Sequence, residues 1–324
     1  MKTLLVRLSS MGDLIHTMPA VEDLSRMRPD IELHWLCEAG FADIARLHPF
    51  VKKVHVMRWR QWRKQLQSMD VWREMGRLKD DLRGQRFDMV LDAQGLLKSA
   101  LFAKVANAPV TGLDFHSARE RWAALSYNQS YAVPKGRSAV WRNRALFAQA
   151  FGYEMPSEQR FGLVVPPEAA LTGLAPHYYV GLHATSRDSK LWPVERWLAL
   201  FDKLHQYDKA VIYLPWGNEV EKQRAEQMAA ERPFVQVCDK LSLLQAAYLL
   251  GNAAGIIGVD TGLLHLANAL DKPVVGIYTD TDPVKTGVQE SPWAVNLGNV
   301  ADIPIVDEVF NSLLACMKAK AEAV

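Results

Sequence analysis

Short apolar runs alternate with amphipathic stretches along almost the whole chain. Leu4-Leu5-Val6-Arg7-Leu8 is apolar at four of five positions, as a strand buried on both faces of a sheet requires. The same pattern predicts strands over 31–36, 51–57 and 88–92. Between them, apolar residues recur at helical spacing over 13–27, 71–85 (Trp72, Met75, Leu78, Leu82), 96–106 and 139–151. The second half keeps the rhythm, with strands over 178–183, 210–214, 234–237, 256–259 and 274–277. Helices are predicted between them over 194–205, 219–230, 242–250 and 261–269. Strands alternating with helices predict an α/β fold with parallel sheets and helices on both faces. The proline-rich stretch 164–176, with Pro166, Pro167 and Pro176, is the expected linker. Two doubly wound domains follow, 1–165 and 166–324, facing across a cleft; the last helix has the option of packing back on the first domain.

Composition narrows the class. With 324 residues, 49% hydrophobic and 23% charged, the chain is an ordinary globular one. Its longest apolar stretch, 249–266, is broken by Asn252, Asp260 and His265, so no membrane-spanning helix is predicted. Residues 1–8 are too short an apolar run for a secretory signal and fit a first buried strand. Three widely spaced cysteines, Cys37, Cys238 and Cys316, exclude a disulfide framework or a zinc finger and suit a reducing cytoplasm.

Charge is unevenly placed. Residues 1–160 hold 25 basic and 17 acidic side chains, whereas 161–324 hold 13 and 19. Between Lys52 and Phe87 there are 11 basic and 4 acidic residues. Such a field suits an anionic partner, or is a solvated helical face.

In doubly wound sheets, ligands sit outside the carboxyl ends of the strands, so the strand-to-helix turns are where chemistry is expected. Ser9-Ser10-Met11-Gly12-Asp13 lacks a dinucleotide fingerprint. Its Asp13 is either a helix cap or a general base. The segment from His183 to Pro193 offers Thr185, Ser186 and Lys190 as a phosphate cradle, or is a polar loop before a helix. Asp260-Thr261-Gly262 runs a strand straight into a helix, whose N-terminus attracts anions; His265 lies one turn on. Glu219 or Glu221 is placed to hold ribose hydroxyls or to complement the helix dipole. Asp280-Thr281-Asp282 looks like a magnesium pair, but two oxygens are a weak signal and Asp282-Pro283 suits a turn. Arg58-Trp59-Arg60-Gln61-Trp62-Arg63-Lys64 interleaves bases with aromatics, as a grip for nucleic acid, an anionic or lipid-linked acceptor, or a membrane surface. Nucleic acid fits least, because the second half offers no further basic stripe.

These turns, taken in order, resemble the bacterial lipopolysaccharide heptosyltransferases of glycosyltransferase family 9, the type I enzymes above all. The likeness rests on Ser9 to Asp13 with His16 to Ala20, Asp92 to Ala100, Ala118-Arg119-Glu120, His183 to Asp188 with Lys190, Trp192 and Pro193, Leu214 to Gly217, and Val259 to Leu263 with His265. The resemblance implies a GT-B fold, with the acceptor on the first domain and the sugar nucleotide on the second. It implies inverting transfer of L-glycero-D-manno-heptose from ADP-heptose to Kdo of Kdo-lipid A. By position, Asp13 would be the base. Thr185, Ser186, Lys190, Thr261, Gly262 and His265 would surround the pyrophosphate and sugar, with Asp260 on the heptose. Glu221 would hold the ribose and Leu241 the adenine. Arg60, Arg63, Lys64, Lys98 and Arg119 would face the anionic acceptor. It also implies no metal, no nucleic acid, a monomer, and a peripheral place at the cytoplasmic face of the inner membrane. A sugar-nucleotide epimerase, another glycosyltransferase such as a type II enzyme, and an anion-binding module around Arg58 to Lys64 remain the alternatives.

Overall fold

The computed structural model describes residues 1–185 and 187–323. The chain divides into two compact units, Met1–Val164 and Val165–Val324. The first holds β1 (Lys2–Val6), α1 (Met11–Ile15), α2 (Met18–Met27), β2 (Glu32–Glu38), α3 (Ala42–Arg46), β3 (Val51–Met57), α4 (Trp59–Trp62) and α5 (Met69–Gly84). It continues with β4 (Met89–Asp92), α6 (Leu97–Val105), β5 (Val110–Leu113), a 3-10 turn (Arg121–Ser126), β6 (Gln129–Tyr131) and α7 (Ala139–Phe151). The second holds β7 (Tyr178–Leu182), α8 (Val194–Asp208), β8 (Val211–Leu214), α9 (Glu219–Ala229), β9 (Val235–Val237), α10 (Leu243–Asn252) and β10 (Gly255–Val259). It ends with α11 (Gly262–Ala269), β11 (Val274–Tyr278), α12 (Pro283–Thr286), β12 (Ala294–Gly298) and α13 (Val306–Glu322).

Each unit is one six-stranded sheet, ordered β3-β2-β1-β4-β5-β6 and β12-β11-β10-β7-β8-β9. Every pairing between named strands is parallel. Renumbered within its unit, the second order equals the first, the doubly wound arrangement in which the strand order reverses between the first and fourth strands. In the first unit that switch lies between β1 and β4, and in the second between β7 and β10. β7, β10 and β11 are buried along their whole length and β1 at all but its first residue, which explains their largely unbroken apolar sequence.

The cores are made as the patterns predict. Leu4, Val6, Leu36, Val90 and Val110 of the first sheet pack with Trp62, Leu82 and Phe102 from the helices. In the second unit, Trp192, Trp197 and Phe201 cover Ile212, Ile257 and Ile277. The closing helix α13 packs within the second unit, on α8, β10, β11 and β12. Arg144 of α7 and Asp23 of α2 form a buried ion pair: the guanidinium donates to both carboxylate oxygens, at 2.6 and 3.2 Å, and also to the carbonyls of Pro156 and Glu158. It ties the chain that leaves α7 back to the helix pair.

The helix expected over 13–27 is two helices. Pro19 has no N–H and suits only a first helical turn, so a new helix starts at Met18 behind the cap residue Thr17. Strands β5, β6 and β12, and the short helices α3, α4 and α12, do not stand out in the periodicity; each has only three to five residues.

Candidate functional site

At the first switch point, the turn after β1 brings Ser10 and Asp13 together. Asp13 is the third residue of α1, and its Oδ2 accepts from the Ser10 backbone N–H at 2.8 Å and from the Ser10 hydroxyl at 3.1 Å. This is a capping box, so the structural role weighed for Asp13 is real. The other oxygen, Oδ1, faces Arg7 at 3.1 Å. Arg7 ends the strand region almost buried and also donates to the carbonyl of Ala93, across the switch point. Burial pulls its guanidinium below the ordinary value, while Asp13 and Asp92 oppose that shift. An arginine remains charged under such a shift.

These two residues lie in a pocket of about 430 Å³, lined also by Gln94, Ser117, Arg119, Lys135, Arg142 and Asn143. Gln94 is held by its carbonyl oxygen, which accepts from the Leu8 N–H at 2.7 Å. Arg142 of α7 donates to the Ser117 carbonyl at 2.6 Å, and Asn143 donates to the His16 carbonyl at 3.0 Å. Below the pocket, Asp92 is buried and takes hydrogen bonds from Gln94 N, Gly95 N, the Ser99 hydroxyl and the Tyr127 hydroxyl. Burial raises its pKa and those four donors oppose the rise. Asp92 therefore organises the turn rather than offering a surface charge. The pocket gathers four cationic side chains around one carboxylate, which suits an anionic ligand bearing a hydroxyl.

At the second switch point, Lys190 extends to Asp260, with Nζ 2.6 Å from Oδ2. The same oxygen accepts from the Thr281 hydroxyl at 2.9 Å, and the Asp260 carbonyl accepts from the Thr185 hydroxyl at 2.7 Å. Thr261 is the N-cap residue of α11 and, among the described residues, its side chain makes no capping bond. The N–H groups of Gly262 and Leu263 therefore open the helix with their donors directed outward beside an ammonium. His265 lies almost buried one turn along α11. Behind this cluster His183 is fully buried at the end of β7, and burial lowers its pKa to about 4. Hydroxyls, an ammonium and a helix N-terminus converge here, as a diphosphate requires.

Further along the same strand ends, Glu221 sits in the first turn of α9. Its carboxylate accepts from Gly217 N at 2.6 Å and from the Asn218 amide at 2.8 Å, while Asn218 caps the helix in return. Trp216 is fixed by its indole N–H on the Cys238 carbonyl at 2.7 Å, with the ammonium groups of Lys222 and Lys240 at 5.5 and 5.9 Å from its ring. Leu241 is half-buried in the segment that follows β9.

The structure thus brings together Thr185, Lys190, Asp260, Thr261 and Gly262 with His265 on the same helix, and Asp13 with Arg119. Ser186 lies outside the described residues. Arg60, Arg63, Lys64 and Lys98 are not among the residues lining the Asp13 pocket. Arg60 is on α4 with its guanidinium over the Phe41 ring, and Lys98 is in the first turn of α6. The acid pair resolves into structural roles: Asp282 caps α12, accepting from Val284 N at 3.0 Å, and Asp280 accepts from the Ser189 hydroxyl at 2.6 Å. Sequence reasoning missed Arg7, Lys135, Arg142 and Thr281. A charge at the end of a buried strand was the available signal for Arg7; the others reach their sites only through tertiary packing.

Comparison with known proteins gives the family. The model for glycosyltransferase family 9 (heptosyltransferase) matches residues 75–305. Lipopolysaccharide heptosyltransferase 1 of Escherichia coli (strain K12) is 41% identical over 288 residues, covering 87% of this chain and 89% of that protein. The enzyme of the same description from Pseudomonas aeruginosa is 42% identical, covering 89% and 81%. The solved E. coli heptosyltransferase WaaC with ADP superposes with a TM-score of 0.87 at 36% identity, covering 100% of this chain and 99% of that one. Two doubly wound parallel sheets that superpose on that enzyme are thus the GT-B architecture of a glycosyltransferase, and the chain belongs to glycosyltransferase family 9, the heptosyltransferases.

Proposed function

We propose that this protein is an inverting lipopolysaccharide heptosyltransferase of type I, moving L-glycero-D-manno-heptose from ADP-heptose to a Kdo residue of Kdo-lipid A in inner-core assembly. The observation that carries the site assignment is the pair of unlike clusters: one carboxylate among Arg7, Arg119, Lys135 and Arg142, and one ammonium beside the N-terminus of α11. In this reading Asp13 accepts the proton of the Kdo hydroxyl as its oxygen bonds to the anomeric carbon. The bond from that carbon to the diphosphate breaks on the opposite side, and ADP leaves with the electron pair. Lys190, Thr185, Ser186 and the Thr261–Gly262 turn neutralise the charge that grows on the diphosphate, with His265 alongside. Glu221 is assigned to the ribose, Leu241 to the adenine and Asp260 to the heptose, which would exchange its Lys190 contact as donor binds. Arg119 holds the acceptor anions, with Arg60, Arg63, Lys64 and Lys98 as the outer set. No covalent nucleophile and no metal takes part. The acceptor is lipid-linked, so the monomer works at the cytoplasmic face of the inner membrane.

The decisive test is mass spectrometry of Kdo-lipid A incubated with ADP-heptose and the protein. One added heptose with release of ADP is expected. Loss of ADP-heptose without an acceptor product would favour an epimerase instead. Activity should survive EDTA; complete loss restored by magnesium would return the Asp280–Asp282 pair to consideration.

A further inference from the structure

We infer that the outer face of α6 and the turn Arg121–Ser126 docks on an anionic lipid bilayer, the surface that carries the acceptor. The inference rests on the reading of the acceptor as lipid-linked, and supplies the surface which that reading leaves unassigned.

Four large apolar side chains stand out of the first unit here: Leu97 is 53% exposed, Leu101 66%, Trp122 54% and Leu125 71%. Leu97 and Leu101 are one turn apart on α6, and so share a face. Trp122 and Leu125 are three residues apart in a 3-10 turn, where such residues eclipse. The two elements pack together. They are also tied by backbone: Leu97 N donates to the Glu120 carboxylate at 2.7 Å, and Glu120 N donates to the Gly95 carbonyl at 2.9 Å. Scattered exposed leucines need no explanation, but a group on adjoining elements marks a surface that something covers.

The surrounding charge selects the partner. The two elements themselves carry three basic side chains, Lys98, Lys104 and Arg121, and no acidic one. Lys98 follows Leu97 directly, and Lys104 lies one turn beyond Leu101 on α6. Arg121 places its guanidinium 5.6 Å from the Phe115 ring and 5.2 Å from the Trp122 ring. Leucines among lysines and arginines, with an indole at the margin, match the chemistry of an anionic membrane interface. The core of a protein–protein interface is instead depleted in lysine.

The turn that leads into α6 also reaches the pocket wall. Gly95 turns the chain between β4 and α6 at a φ of +66°, and a Cβ there would stand 3.4 Å from the Arg119 backbone nitrogen. Arg119 lines the Asp13 pocket. A sugar head group bound in that pocket therefore has its lipid anchor next to α6 and the Arg121–Ser126 turn, where the apolar side chains are.

The test compares the full-length protein with Leu101→Gln/Leu125→Gln, two changes at exposed positions outside the proposed site. Sedimentation uses vesicles of phosphatidylethanolamine with a quarter phosphatidylglycerol, and vesicles of phosphatidylcholine alone. Heptose transfer is followed to a deacylated, water-soluble acceptor and to Kdo-lipid A in the vesicles. Wild type should prefer the anionic vesicles, and the variant should lose binding by at least about tenfold. Transfer to the soluble acceptor should be unchanged while transfer to the vesicle-borne acceptor falls. Undiminished vesicle binding by the variant, no preference for the anionic lipid, or a parallel loss of soluble activity would each overturn the inference. Vesicle binding that behaves as expected in a protein inactive on both acceptors would instead sink the functional reading and leave the docking surface standing.

Discussion

Asp13 has a structural role in the capping box and is assigned a second, as the base, in the proposed function. Its Oδ2 closes the capping box with Ser10 and its Oδ1 meets Arg7, so the same contacts that start α1 also aim the carboxylate into the pocket. Oδ2 already takes two donors, so the second lone pair of Oδ1 is the one left for an acceptor hydroxyl. Asp13→Asn keeps the shape and most of the capping but removes the base. Turnover should fall by about 10²–10⁴-fold while ADP-heptose affinity measured by calorimetry is unchanged. Full activity in that variant would remove the base assignment. A second residue-scale expectation concerns His183, whose pKa burial lowers from the ordinary 6.5 to about 4 in the folded chain. The unfolded chain takes up the proton first, so stability is full above about pH 6.5 and declines as pH falls towards 4. The unfolding free energy from urea titrations should drop over that window by up to about 1 kcal/mol per pH unit, and His183→Gln should flatten the slope. An identical slope in the variant would show that His183 does not titrate there. At this scale the sequence was legible where a residue sits in a strand-to-helix turn, as Asp13, Lys190, Asp260 and Thr261 do. It was illegible where a helix reads as merely amphipathic: nothing along 139–151 distinguishes Arg142, which bonds the Ser117 carbonyl in the pocket, from Arg144, buried on Asp23.

At the scale of elements, long periodic segments were predicted within a few residues, whereas short ones were lost. β6 is Gln-Ser-Tyr, which has no apolar period, and pairing with β5 alone defines it. The break between α1 and α2 was written in Pro19, whose missing N–H is tolerated in a first turn and not in a helix interior. Gly112 in β5 is a further position whose meaning is tertiary. A Cβ there would fall 2.5 Å from the Tyr127 ring, whose hydroxyl is bonded to Asp92 at 2.8 Å. Gly112→Ala must push that ring away, so it should cost about 1–3 kcal/mol in thermal or urea unfolding. Combining it with Tyr127→Ala should cost less than the sum, because the clash is then gone. Strict additivity would mean that the ring does not limit the strand.

For the whole molecule, the even alternation of strand and helix was enough to read two doubly wound sheets, and both take the same strand order. The strand order of each sheet reverses once, and each switch point carries one of the two clusters. The unequal charge of the halves follows the same division: 25 basic and 17 acidic residues over 1–160, against 13 and 19 over 161–324. In the proposed reading the acceptor cluster works within a positive field, while the donor cluster draws in its diphosphate from an acidic half through close contacts. Salt screens the first kind of attraction more than the second, since the screening length shrinks from about 10 Å at 0.1 M to about 3 Å at 1 M and short, partly buried contacts are less affected. Raising ionic strength should increase KM for a deacylated Kdo acceptor several-fold more than KM for ADP-heptose, with kcat nearly constant. Initial rates over a salt series with each substrate varied in turn measure this. Equal salt dependence for both substrates would mean that the basic excess of the first half is a solvated surface and takes no part in drawing in the acceptor.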